Sequence, residues 1–208
     1  TRCLPVDERV AARGIGEDRP LDFHSPYGCA KGAADQYVLD YARSFGLSTV
    51  VLRMSCIYGP RQLGTEDQGW VAHFVASALA GRPITLYGDG RQVRDLLFID
   101  DLVEALRLAE ARADALAGTA FNIGGGPART ASLIEVIDRV ERGLGLKAEV
   151  RFEAPRVGDQ RWFVADTARF QAATGWAPRV GVDEGIDRLA AWLRSTATGA
   201  QAARAGTP

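Results

Sequence analysis

The chain has 208 residues, 47% hydrophobic and 25% charged, an ordinary globular composition for one domain or one domain and a part. Lys and Arg (25) nearly balance Asp and Glu (26), and the net charge of −1 gives no electrostatic support for general nucleic-acid binding. No apolar run approaches the roughly 20 residues of a membrane helix, and Cys3, Cys29 and Cys56 lack metal-ligand spacing, which implies free thiols in a reducing, cytoplasmic setting.

Residues 1–24 read as a loop. Thr1-Arg2-Cys3-Leu4-Pro5 has neither an initiator methionine nor a signal-peptide pattern, which predicts the later part of something longer. Gly14 and Gly16 follow no strand, so they do not form the glycine turn that cradles a dinucleotide pyrophosphate. His24 reads as a capping or surface residue. From Ser25 the pattern changes. Pro26 pre-sets a helical first turn, and Ala30, Ala33, Ala34, Tyr37, Val38, Tyr41, Ala42 and Phe45 recur at helical spacing up to Gly46, a suitable helix end. Tyr27 and Lys31 share one face of that helix, with Cβ atoms roughly 5–6 Å apart. A phenol titrates near pH ~10. A neighbouring ammonium favours the phenolate, which equips a tyrosine to take or return a proton. On spacing alone, a helix that merely carries Tyr and Lys accounts for the pair equally well.

Ser48 to Arg53 is rich in β-branched residues and predicts a buried strand, which with the preceding helix makes the βα unit of a parallel sheet. Met54-Ser55-Cys56-Ile57 leaves the carboxyl end of that strand, where ligands of such sheets sit, and Tyr58-Gly59-Pro60 reads as a structural turn. Thr65 and Gln68 are spaced as a capping box for a helix with Val71, Phe74, Val75, Ala78 and Leu79 inward, and Trp70 reads as a core or rim aromatic. Ile84–Tyr87 is a short strand and Val93–Ile99 another, separated by the Gly88-Asp89-Gly90 turn. Asp100 or Asp101 is expected to cap a helix that buries Leu102, Val103, Leu106, Leu108 and Ala109. Ala120–Ile123 is a strand running into Gly124-Gly125-Gly126, which fits no dinucleotide fingerprint and reads as a structural turn. Ser132 and Glu135 make a second capping box, ahead of Ile134, Ile137 and Val140. A strand over Ala148–Glu153, a short helix closed by Gly175 and Pro178, and an amphipathic helix from Val182 to about Thr196 complete the order. The tail from residue 197 is expected to be disordered.

Ser25-Pro26-Tyr27-Gly28-Cys29-Ala30-Lys31, a strand, and then Tyr58-Gly59-Pro60 resembles the extended short-chain dehydrogenase/reductase family, and within it the sugar-nucleotide epimerases and dehydratases. The wording from Leu21 to Tyr41 and of Asp67-Gln68-Gly69-Trp70 is most similar to the CDP-paratose 2-epimerase group, and the resemblance runs from about residue 20 to about residue 190. It implies an α/β fold comprising the trailing part of a Rossmann-type parallel sheet (residues 1–65) and a small C-terminal substrate-binding α/β region (mainly 66–196), parts of which can return to the Rossmann sheet. It further implies Tyr27 as catalytic acid/base, Lys31 as the holder of the nicotinamide ribose, and Ser55 as a further contact to NAD or substrate. By the same resemblance the Leu86-Tyr87 backbone lies near the base, and Arg94 and Arg156 meet the diphosphate with help from Arg161. Guanidinium suits that task because it donates in a planar fork and keeps its charge. The alternative for Arg94 is an ion pair with Asp95 or Asp100.

The activity so implied is NAD-dependent epimerisation of a nucleotide-diphosphate sugar by transient oxidation and re-reduction of a sugar carbon. UDP-sugar 4-epimerisation and nucleotide-sugar 4,6-dehydration are the alternatives within the family. A non-catalytic fragment or subunit lacking the dinucleotide-binding half is the alternative outside it. A homodimer through the Tyr27 helix, with no nucleic-acid, membrane or metal partner, completes the expectation.

Overall fold

The computed structural model describes residues 2–205, with side chains through residue 196. Asp7 accepts hydrogen bonds from the N–H groups of Arg9 and Val10 and so starts α1 (Glu8–Arg13), a helix inside the stretch read as loop. It buries none of its residues, so it carries no apolar periodicity by which the sequence could reveal it. Helix α2 (Pro26–Phe45) begins as its sequence predicts: the Ser25 hydroxyl accepts the Gly28 N–H at 3.0 Å, Pro26 enters the first turn, and left-handed Gly46 closes the end. Its apolar stripe, however, faces outward. Gly32 is its only buried residue, while Tyr37 and Phe45 are each 68% exposed. The Phe23 ring lies against Gly32 so closely that an added Cβ would stand 2.0 Å from its Cζ.

The chain continues through β1 (Val50–Met54), β2 (Cys56–Tyr58), α3 (Trp70–Leu79), β3 (Ile84–Tyr87), β4 (Val93–Phe98), α4 (Ile99–Ala111), α5 (Ala113–Leu116) and β5 (Thr119–Ile123). After a 3-10 turn at Pro127–Arg129 come β6 (Thr130–Ser132), α6 (Leu133–Leu144), β7 (Val150–Glu153), β8 (Trp162–Phe163), α7 (Ala168–Thr174) and α8 (Val182–Ala205). β1 pairs in parallel with β5, β2 with β4, and β3 with β7, while β4 also takes β6 antiparallel and β8 parallel. Both strands of the first 65 residues therefore find their partners beyond that point. Arg53 on β1 grips Asp35 of α2 through two bonds of 2.7 and 3.0 Å, and the Thr49 hydroxyl donates to the Val38 carbonyl, so α2 is fastened mainly by polar contacts.

Among the described residues, two apolar clusters hold the rest. One joins α3, α6 and α8 over the β3–β4 region through Val71, Phe74, Val75, Leu86, Val136, Val140, Ile186 and Leu189. The other packs α4 and α7 on β5 through Leu102, Ala105, Phe121, Ile123, Phe170 and Trp176. Val103 and Leu106 lie outside it, at 39% and 49% exposure, because α4 turns Ala105 and Ala109 inward instead.

Three helix ends differ from expectation. The Thr65 hydroxyl does accept the Gln68 N–H at 3.2 Å, but as part of a turn; α3 starts later, after left-handed Gly69. Phe98 precedes α4 without a side-chain cap, and Asp100 and Asp101 lie inside its first turn, where negative charge suits the helix dipole. Asp101 turns inward to accept the Val180 N–H at 3.0 Å. The third is α8, which continues to Ala205 where a tail was expected; Ala197, Ala200, Ala202 and Ala203 are strong helix formers. Residues 206–208 lie outside the described residues. The Ser132–Glu135 capping box forms as expected, with both reciprocal bonds present.

Candidate active site

Tyr27 stands in the first turn of α2, 65% exposed, and the Lys31 ammonium lies 5.7 Å from the centre of its ring. Apart from that contact, neither side chain has a hydrogen bond or ion pair among the described residues. A free phenol and a free ammonium thus share one open face. The loop carrying Arg156, Asp159 and Arg161 runs beside this helix start. A Cβ added to Gly158 would lie 3.5 Å from the carbonyl oxygen of His24, three residues before Tyr27.

The arginines do not stand bare. Arg94 leaves β4 with its side chain largely buried, donating to the Val93 carbonyl at 2.9 Å and to Asp159 at 2.8 Å. Burial pulls its pKa below the ordinary arginine value, and the Asp159 charge opposes that pull. Only two of the five guanidinium N–H donors are used in this way, so the fork keeps donors for a ligand. The other Asp159 oxygen accepts from Gln92 Nε2 at 3.2 Å, and the same nitrogen donates to the Tyr87 carbonyl at 2.6 Å. Arg156 lies over the Tyr87 ring at 3.8 Å and pairs with Asp67 at 3.0 Å. The structure therefore gathers Tyr87, Arg94 and Arg156 into one cluster with Gln92, Asp67 and Asp159.

Other candidates sit apart. The Leu86 side chain is in the core at 1% exposure, which leaves only its backbone for recognition. The Arg161 guanidinium is directed at the Cys3 sulfur, 3.9 Å away, while its carbonyl accepts the Val93 N–H. The ion pairs weighed for Arg94 do not form: Asp100 pairs with Arg188, and Asp95 points to the opposite side of β4. Period-two alternation was the available signal, since adjacent strand residues face opposite ways.

Asp95 enters the sequence reading only as a candidate partner of Arg94, and the structure gives it other partners. It is fully buried, and its two oxygens accept the Ser55 hydroxyl, the Gly126 N–H at 3.0 Å and the Ala165 N–H at 3.2 Å. Burial pushes its pKa up, and these bonds oppose the shift. Ser55, immediately after β1, is thereby held from beneath. The neighbouring Cys56 thiol is pushed up to about 12, mainly by burial, and is not a nucleophile at neutral pH.

Residues 9–124, more than half of the chain, match the NAD dependent epimerase/dehydratase family. A CDP-paratose 2-epimerase of Salmonella typhi is 43% identical over 200 residues, which is 94% of this chain and 58% of that protein. A UDP-glucose 4-epimerase of Mycolicibacterium smegmatis is 34% identical over 179 residues, 86% of this chain and 56% of that protein. Among solved structures, UDP-glucuronic acid 4-epimerase from Bacillus cereus, in complex with UDP-glucuronic acid and NAD, superposes with a TM-score of 0.80 at 27% identity, covering 88% of this chain and 57% of that one. The chain therefore spans a little over half the length of the relatives it matches. Its α/β architecture with parallel strand pairs matches Rossmann-type epimerases and dehydratases. No helix among the described residues is long and apolar enough to cross a membrane. In sequence and in fold, the chain belongs to the NAD dependent epimerase/dehydratase family.

Proposed function

We propose that this chain supplies the acid/base tyrosine and the substrate-binding region of an NAD-dependent nucleotide-sugar epimerase that acts on a CDP-sugar at carbon 2. The observation that carries the reading is the unpartnered Tyr27–Lys31 pair on an exposed helix start, beside a loop that brings in Arg156 and Asp159. The 43% identity to a CDP-paratose 2-epimerase favours that branch.

The donor set suits the cofactor. Lys31 offers ammonium N–H groups to ribose hydroxyls, Tyr27 offers its phenol, and Ser55 offers an oxygen at the carboxyl end of β1. NAD, when bound, supplies a reversible hydride acceptor. The Tyr27 hydroxyl, beside Lys31, takes the proton of a sugar hydroxyl and later returns it. Arg94 and Arg156 hold the diphosphate by paired N–H donors, Arg161 assists, and the Leu86-Tyr87 backbone faces the base. Anchoring at the phosphates leaves the sugar free to turn and present its other face. The division into residues 1–65 and 66–196, a cytoplasmic location, and a homodimer through the exposed aromatic face of α2 (Tyr37, Val38, Tyr41, Phe45) belong to the same proposal.

A second reading is 4-epimerisation of a UDP-sugar or 4,6-dehydration of a dTDP-sugar. It is favoured by relatives such as the 34% identical UDP-glucose 4-epimerase and the 30% identical dTDP-glucose 4,6-dehydratase of Xanthomonas campestris. The test uses the complete protein, since this chain spans 58% of its CDP-paratose 2-epimerase relative. CDP-, UDP- and dTDP-sugars are supplied and products identified by NMR, for the parent and for Tyr27→Phe. Turnover of a CDP-sugar that falls by about 10²-fold or more in the variant supports the reading. Unchanged turnover in Tyr27→Phe removes the acid/base role, and turnover of UDP- or dTDP-sugars alone moves the assignment to the second reading.

A further inference from the structure

The Gly124-Gly125-Gly126 turn has no part in the proposed function, yet its geometry is specific. A Cβ at Gly124 would stand 2.1 Å from Asp95 Oδ2 and 2.9 Å from the Ala165 Cβ, so only glycine lets the carboxylate in. Two residues later the Gly126 N–H donates to that same oxygen, and the Ala165 N–H, next to β8, completes the cradle. The strand–glycine–turn element is thus an anion nest turned inward, closed around the protein's own carboxylate.

The remaining Asp95 oxygen, Oδ1, faces Ser55. The Ser55 hydroxyl lies against it and also 3.2 Å from the Asp95 main-chain carbonyl. Both neighbours are acceptors. A serine hydroxyl has one proton to donate and two lone pairs, so the proton is committed to Asp95 whichever of the two oxygens receives it. Toward the open end of β1, Ser55 then presents lone pairs only. We propose that Asp95 is a positioning residue that fixes Ser55 as a hydrogen-bond acceptor, so that the site selects an N–H or O–H donor at that point of the cofactor or substrate. This rests on the reading of Ser55 as a ligand contact.

Asp95→Asn is a conservative probe. One side-chain oxygen still accepts the two main-chain N–H groups, but the new NH₂ faces Ser55 and donates to it, using a lone pair the ligand needs. The complete protein is assayed as Ser55→Ala, Asp95→Asn and the double variant, by NAD affinity in equilibrium dialysis, KM and kcat for the CDP-sugar, and thermal melting. Ser55→Ala and Asp95→Asn are each expected to weaken NAD affinity or raise KM by about 3- to 10-fold, the value of one ordinary hydrogen bond. The double variant is expected to lose no more affinity than Ser55→Ala, because Asp95 acts through Ser55. A melting loss from Asp95→Asn leaves that comparison intact, since a merely structural residue would lower stability without this non-additivity in affinity.

If Ser55→Ala changes neither affinity, KM nor kcat, Ser55 touches no ligand, and the reading of that residue falls together with the inference. If Ser55→Ala weakens binding and a folded Asp95→Asn does not, the contact stands and the role of Asp95 is refuted. The parent protein supplies a measurement that needs no Asp95 variant. Proton NMR is expected to show a slowly exchanging Ser55 hydroxyl, identified by its loss in Ser55→Ala, that stays in place when NAD and substrate are added. A hydroxyl that exchanges freely, or that moves to the ligand, overturns the proposal.

Discussion

Replacing Asp35 by Ala tests how the helix carrying Tyr27 is held. α2 buries only Gly32 against the rest of the chain, so hydrophobic contact contributes little to its placement. The Asp35–Arg53 pair carries that duty instead, with bonds of 2.7 and 3.0 Å and side chains only 10% and 21% exposed. Its hydrogen bond to Asp35 raises the Arg53 pKa, against burial, and the Asp35 and Glu17 charges add to the effect. Exposed ion pairs are worth about 0–1 kcal/mol. A mostly buried bidentate pair that loses one partner leaves an uncompensated guanidinium, at about 3 kcal/mol. Urea unfolding followed by circular dichroism, with unchanged m, reads this directly. For a chain of this size about 3 kcal/mol corresponds to roughly 6–12 °C in Tm. An Arg53→Met/Asp35→Leu double variant is expected to recover part of the loss, since the stranded charge is then gone. A loss below about 1 kcal/mol for Asp35→Ala would place the pair with ordinary surface bridges and refute the idea that it fastens α2.

Gly124→Ala should cost at least about 3 kcal/mol in the same unfolding assay, because the new Cβ drives Asp95 from its donors; a shift under about 1 kcal/mol would mean the turn yields freely. Arg94→Lys should weaken CDP binding by about 10-fold in calorimetry, since a point charge cannot reproduce the fork; equal affinity would take the diphosphate away from Arg94. Glu135 carries a pH prediction. Burial raises its pKa, but the Arg2 guanidinium, the Ser132 N–H and the Arg139 charge together bring it below the ordinary 4.5. Its contribution is therefore complete above pH 4.5 and lost as pH falls through the lower folded value. Acid unfolding curves of Glu135→Gln should be shallower than the parent's below pH 4.5, and parallel curves would remove the assignment.

Where burial is one-sided and local chemistry is strong, the sequence speaks clearly. Ser25, Pro26 and Gly46 mark the ends of α2, and Ser132 with Glu135 opens α6, because caps act over three or four residues. The inward faces of α3 and α8 follow from period alone. The apolar stripe of α2 misleads for the opposite reason: periodicity reports an apolar face, not what covers it, and here it is exposed. At the site, Tyr27 and Lys31 are legible as an i,i+4 pair. Their relation to the arginine loop is not, because Gly158 and His24 are far apart in sequence. Asp159 and Asp67 as partners of Arg94 and Arg156 were equally hidden, since such pairs form only after strands and loops are placed. Asp95 was hidden by type. A charged residue in a strand suggests the surface, and its donors come from residues 55, 126 and 165.

The strand pairings carry a consequence for how the chain reaches this state. Val50 aligns with Thr119 and Ile84 with Val150, so β1 waits 69 residues and β3 waits 66 for a partner. Chain closure over such distances comes before any reward from pairing, which makes folding slow relative to a helical bundle of the same length. At roughly 5–20 residues per second of synthesis, β1 leaves the ribosome roughly 3–14 s ahead of β5. During that interval the edge of Val50, Val51 and Leu52 that pairs with β5 lacks that partner, and the productive route competes with association between nascent chains. Yield of folded protein should therefore depend on expression rate and temperature more steeply than its equilibrium stability would suggest.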